Sequence, residues 1–402
     1  MRVSTGMIFQ QGLDSLQRQQ SQLLDTQQHI AANKRVMSPS DDPVAAARAV
    51  ETSQAKALNA QYGANQANAR DTLSQVEATL GDLGTLMQDV RTLYVAAGDG
   101  ALSAKDRESL AIDLEAKLAQ MLGLANTRDG AGAYLFGGFQ ENVQPFTQTA
   151  TGAVYNGDQG HRELQVGPGR SIPISENGAE LFQRIRQGNG TFVTASDAVN
   201  AGTGLINIGR AVGNTAVPVD TYRIDFTVTA GVTTYDVVNV TTSTTLSTGN
   251  AYTPGATIAF NNLQLEISGD PANGDSFDIA PAANQSVFGM ISDAIATLRL
   301  PAVNPADRTR YDEGMQRAIA NMDQALDRTI TVRTGVGSSL RELDTLDSVT
   351  QDNALNYDKR LSELVDLDYA QALTDFAKQQ TALEAAQLSF QRITSLSLFD
   401  YL

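Results

Sequence analysis

Apolar residues recur every seven positions at both ends of this chain. Phe9, Leu16, Leu23 and Ile30 do so from the N-terminus, and Phe376, Leu383 and Phe390 near the C-terminus, with Ala386 and Ile393 at the three-residue offset. Such a repeat keeps one seam on one side of a helix, and a seam flanked by polar residues needs a partner helix. The spacing therefore predicts coiled-coil arms over residues 1–42 and 361–402. Burying a Leu or Phe is worth only about 1.5–3 kcal/mol and chain entropy opposes it, so arms with so narrow a stripe are expected to order mainly on assembly.

The stretch Met37 to Pro43 breaks the first repeat. Pro39 keeps Ser38 out of the α region, Asp42 suits a helix N-cap and Pro43 the first helical position, so a long helix is predicted to start there. Val76, Leu80, Leu83, Met87, Val90, Tyr94 and Ala97 alternate steps of four and three, the mark of one buried face, until Gly98-Asp99-Gly100 stops the run. Ser103 with Asp106 reads as a capping box opening a second helix, striped by Leu110, Leu114, Leu118 and Met121 or Leu122. So short a connection predicts that the two helices are antiparallel.

Gly130 and Gly132 bracket an expected switch to strand at Tyr134-Leu135-Phe136. From about 145 to 284 the period is two. Tyr222, Ile224, Phe226 and Val228 share one face, as do Leu263, Leu265 and Ile267, with turn signals at Gly231, Asn261-Asn262 and Gly269-Asp270. This Thr-rich, Leu-poor segment favours pleated sheet, with a split expected around the weakly patterned residues 187–215. Helical spacing resumes at Val287, Ile291, Ile295 and Leu298. It returns at Met315, Ile319, Met322, Leu326 and Ile330, with an interruption expected at Gly335 and Gly337. The predicted fold is α+β, mainly α: terminal arms, an antiparallel helical bundle made from both chain halves (43–144 and 285–360), and a central β-rich domain (145–284).

Composition narrows the function. The 402 residues carry 45 acidic and 29 basic side chains, a net charge of −16, which disfavours nucleic acid and anionic membrane as partners. There is no cysteine, so disulfides, thiolate nucleophiles and sulfur-ligated metals are excluded. No stretch reaches the ~18 apolar residues of a membrane span, and the first residues lack the pattern of a cleavable signal.

The segment Ile30 to Val50, with Pro-Ser-Asp-Asp-Pro at Pro39 to Pro43, resembles the N-terminal block of the bacterial flagellin family, closer to its hook-associated branch than to the filament subunit. Tyr134 to Phe139 is similar to that branch's pattern at the entry to the β domain. Asp366 to Leu373 resembles the family's C-terminal block, and Ser397 to Leu402 resembles the ending of its junction member. The resemblance implies a structural subunit between the hook, with its neighbouring junction protein, and the flagellin filament. It also implies neighbouring copies in a helical ring, export through the flagellar type III channel without cleavage, and an export chaperone on the C-terminal arm. The alternative is a flagellin filament subunit. Assembly would rest on Phe9, Leu16, Leu23, Ile30, Phe376, Leu383, Phe390 and Ile393.

Candidate chemistry is sparse, and no catalytic, cofactor or metal residues are assigned. His29 and His161 lack the spacing of a metal pair and read as a solvated helix His and a surface turn His. Gly269 to Asp275 offers three oxygen side chains but no later bidentate Glu, so it reads as a turn rather than a calcium loop. Glu363, Asp366 and Asp368 read as solvated, and Asp41-Asp42 as helix capping.

Overall fold

A computed structural model describes residues 5–100, 102–213, 219–301 and 303–395. The chain forms two compact units, one from residues up to Gln66 and from Thr345 onward, the other from Ala67–Asp344. Helices α1 (Thr5–Ala32), α2 (Pro43–Ala97), α3 (Ala104–Ala125), α4 (Gly178–Phe182), α5 (Val287–Leu298), α6 (Pro305–Val365) and α7 (Tyr369–Ser395) follow in chain order. Helix α2 starts at the predicted proline, and the Ser103–Asp106 capping box opens α3 with both reciprocal bonds made.

In the second unit, the predicted α2 stripe from Val76 to Ala97 is fully buried. It faces α6, whose buried positions include Tyr311, Met315, Ala318, Met322, Ala325, Thr329, Val336 and Leu343. Both stripes step by four and three, the 3.5-residue period of a coiled coil. Arg70–Asp344, Arg333–Glu77 and Arg91–Asp323 ion pairs flank the seam and fix α2 and α6 antiparallel. Two sequence expectations fail on α6. Ile330 is exposed, because steps of four drift off a seam that keeps period 3.5 and relies on Ala325 and Thr329. The helix also runs through Gly335 and Gly337 without a break: each Gly costs about 1 kcal/mol against Ala, which burial of Val336 and Leu343 outweighs.

Helix α3 returns beside α2, joined by Lys117 to Asp89, and is clamped to α5 by Arg299 on Glu108 and Glu115. The stretch Tyr134 to Phe139 forms turns rather than the expected strand. Its backbone is diverted by close approaches, with Asp158 accepting from the Phe139 N–H at 3.0 Å. Phe136 is buried in an aromatic cluster with Phe182, Phe146 and Phe288.

Two hairpins follow, β1 (Phe146–Thr149) with β2 (Gly152–Tyr155) and β3 (Glu163–Gly167) with β4 (Arg170–Pro173). Strand β5 (Ile185–Arg186) pairs with the last strand of the chain. Nine strands then build two facing sheets: β6 (Phe192–Ser196), β7 (Leu205–Ile206), β8 (Arg210–Ala211), β9 (Tyr222–Thr229), β10 (Val232–Asn239), β11 (Thr244–Ala251), β12 (Thr257–Phe260), β13 (Leu263–Ser268) and β14 (Ser276–Pro281). The last strand, β15 (Asn284–Gln285), is the partner of β5. One sheet has the order β11-β10-β9-β14-β6; the other has β12-β13-β7, with β8 also on β13. Tyr222, Ile224, Phe226, Leu263, Leu265 and Ile267 meet in one core, as their alternation predicts. Phe192 and Ile206, from the weakly patterned segment 187–215, belong to this core, and the hairpins before that segment lie in separate two-stranded sheets.

Candidate assembly interface

In the first unit, α1 and α7 pair antiparallel within one chain. Phe9, near the start of α1, meets Phe390, near the end of α7, with ring centroids 5.1 Å apart and planes tilted by 46°. Gly12 leaves room for that ring, since a Cβ there would lie 2.8 Å from Phe390 Cδ2. Leu16, Leu23, Ile30, Phe376, Leu383 and Phe390 are half-buried, and Phe9 stays 50% exposed. The side chain of Ile393, and all of Ser397 to Leu402, lie outside the described residues. At the offset positions stand Gly12, Gln19 and Thr26 on α1 and Ala372, Gln379 and Ala386 on α7. The Gln19 and Gln379 Oε1 atoms are buried without a hydrogen-bond partner.

This seam is drier than an isolated helix and wetter than the α2–α6 core. Beyond it, Met7, Leu13 and Leu24 on α1 and Leu373 and Leu388 on α7 are exposed. Leu373, Ala377, Thr381 and Ala385, spaced by four, line an open groove of about 810 Å³ along α7. Two helices alone cannot cover two stripes, so the arm pair has the surface to pack against further helices.

The arms join the rest of their unit through an elbow. Asn33 ends α1 in the left-handed region, at φ 52°, and Lys34 bridges Asp366. The Arg35 N–H donates to Val365 O at 2.8 Å, and its guanidinium donates to Leu364 O at 2.6 Å and to Asp42 at 3.0 Å. Asp42 caps α2 through the Ala45 N–H, while Asp41 closes the turn by accepting from Ser38 and Met37 N–H. Those backbone donors, and then Arg35 for Asp42, hold both carboxyls below the usual carboxylate range. Their contribution is present above that range and is lost as pH falls through the lowered values. His29 is not simply solvated: its Nδ1 is 2.8 Å from Lys34 O, so the ring donates into the elbow.

Other candidate groups have structural work. His161 Nδ1 sits 3.2 Å from Ser175 O on the surface. Asp275 accepts from Ala201, Gly202 and Ala272 N–H and is spent on shaping the loop. Asp368 caps α7 through Ala370 and Gln371 N–H, and the Asp366 N–H donates to Ser362 O at the end of α6. Among the described residues no three His, Cys, Asp or Glu side chains gather as a metal site, and no helix is long and apolar enough to cross a membrane. Sequence reading missed Glu313, a buried carboxylate on α6 that accepts from the Ser196 N–H and hydroxyl and from Arg317. It also missed Arg35, since a single Arg in a turn carries no periodic signal.

Paired terminal helices on an α+β frame of this kind define a flagellin-type structural protein, and residues 3–141 match the bacterial flagellin N-terminal helical region. The crystal structure of FlgL from Xanthomonas campestris is similar over 77% of this chain and 99% of that one, at 31% identity and a TM-score of 0.71. Flagellar hook associated protein-3 from Legionella pneumophila gives 27% identity and a TM-score of 0.74 over 78% of this chain and 98% of the other. Flagellar hook-associated protein 3 of Salmonella typhimurium is 28% identical over 401 residues, 100% of this chain and 99% of the relative. The chain belongs to the hook-associated protein 3 (FlgL) family, and it is a structural protein of the flagellar hook–filament junction. The flagellin of Listeria monocytogenes matches only 38% of this chain and 50% of its own length, so the filament-subunit alternative has the weaker support.

Proposed function

We propose that the chain joins the hook-side junction protein to the flagellin filament by merging its α1–α7 seam with the terminal helices of neighbouring subunits. Phe9, Leu16, Leu23, Ile30, Phe376, Leu383, Phe390 and Ile393 form the assembly interface. The observation that carries this reading is the half-buried seam with a second exposed stripe at Leu373 and Leu388: the pair is stable enough to form and incomplete enough to need company. Residues 1–42 and 361–402 act as assembly arms, 43–144 and 285–360 as the supporting bundle, and 145–284 as a separate β-rich domain. Neighbouring copies in a ring, the hook-side junction protein and flagellin are the partners in the assembly. An export chaperone holds the C-terminal arm before passage through the flagellar channel.

The role is structural rather than catalytic, since the buried carboxylates Asp275 and Glu313 are committed to backbone and arginine donors. A strain lacking the protein tests the reading by electron microscopy of its hooks. Bare hooks with flagellin monomer in the medium are expected; normal filaments would overturn it.

A further inference from the structure

We infer that Arg35 is a positioning residue that sets the direction in which the α1–α7 pair leaves α2 and α6. Four helix ends meet at the elbow: the last turn of α1, the N-cap of α2, the last turn of α6 and the start of α7. Arg35 is the side chain that bonds to two of them at once. One arm of its guanidinium reaches Leu364 O, among the unsatisfied carbonyls that close α6 and carry the negative end of its dipole. The other reaches the carboxylate of Asp42, which is itself committed to the Ala45 N–H as the cap of α2.

The backbone of the same residue donates to Val365 O, and the Val36 N–H shares that acceptor at 3.4 Å. Val36 is buried beneath it. A planar fork can satisfy two acceptors in fixed directions, which a Lys ammonium on a flexible stem cannot do with the same precision. Both contacts are partly exposed, so their worth is orientation rather than bulk stability. Removing them should leave every helix intact while freeing the angle between them.

The inference depends on the assembly reading for its consequence only, because the geometry concerns the lone chain. The absence of native cysteine makes a direct test simple. Spin labels at Gln22→Cys on α1 and Ser53→Cys on α2, both exposed, report the angle of the arm by pulsed electron–electron distance measurement in the full-length monomer. Arg35→Ala is expected to widen the distance distribution roughly twofold, a population shift among orientations. Amide exchange at Arg35 and Val36 should rise with it, and helical signal across α1 should stay at the parent level. Arg35→Lys keeps the charge and most of the stem and should fall between the two. Asp42→Asn, which retains a capping side chain, should widen the distribution less than Arg35→Ala.

A distribution for Arg35→Ala that matches the parent would overturn the inference. If Arg35→Ala also melts α1, Arg35→Lys decides: a widened distribution with parent helicity supports the positioning role, and a parent-like distribution contradicts it. None of these outcomes bears on hook capping, so the assembly reading stands or falls separately.

Discussion

The Phe9 and Phe390 rings meet in a tilted pair with centroids 5.1 Å apart although they come from opposite ends of the chain, and their contact fixes the antiparallel register of the two terminal helices. An aromatic pair is worth about 0.5–1.5 kcal/mol beyond the area it buries. Phe390→Ala should therefore raise amide exchange over residues 9–16 of α1 by about tenfold, the equivalent of ~1.4 kcal/mol. Unchanged protection would mean that the ring contact does not stabilise the pair.

The second unit should respond to a different class of change. Leu80 is fully buried in the α2 seam, and truncating a buried Leu costs about 2–5 kcal/mol. Leu80→Ala is expected to lower the melting temperature of the intact protein by several degrees, read by circular dichroism, while leaving the Phe9–Phe390 end as protected as in the parent. Equal loss in both places would show that the two units unfold as one.

Tyr155 gives an alkaline signature. Its hydroxyl donates within 3.0 Å of Phe136 O and 2.8 Å of Asp158 O; burial first, and the Asp158 charge second, push its pKa from 10.0 up to about 12. The unfolded chain loses that proton first, so stability tied to Tyr155 is complete below pH 10 and is lost as pH rises through about 12. Urea midpoints across that window should fall more steeply for the parent than for Tyr155→Phe. Parallel slopes would contradict the assignment.

Periodicity carried most of the fold because large side chains mark the seams. The stripe from Val76 to Ala97 and the strand face Tyr222, Ile224 and Phe226 are legible for that reason, as are the arm heptads. On α6 the seam is continued by Ala318, Ala325 and Thr329, residues common on any surface, so the eye follows Leu326 to the exposed Ile330 instead. Glycine is a local signal, and at Gly335 and Gly337 the long-range pairing of α6 outvotes it. At Tyr134 to Phe139 the aromatic residues suggest strand, but Phe136 is buried against Phe182, which is distant in sequence, Tyr134 lies under Arg128, and Phe139 is exposed. The elbow at Arg35 was the least legible part of the site. It is built from single contacts between chain segments, and no spacing rule records those.

The terminal seam is tested most directly by replacing Leu383 and Phe390 together with Asp. Each change puts a carboxylate into a contact that must be dry, at a cost that outweighs the modest gain from the seam. The purified double variant should keep the thermal transition of the unit formed by Ala67–Asp344, because neither side chain belongs to it. Added to hooks from a strain lacking the protein, it should neither bind nor support filament growth, whereas the parent does both. A variant that caps those hooks and grows filaments as well as the parent would show that the α1–α7 seam is not the assembly interface.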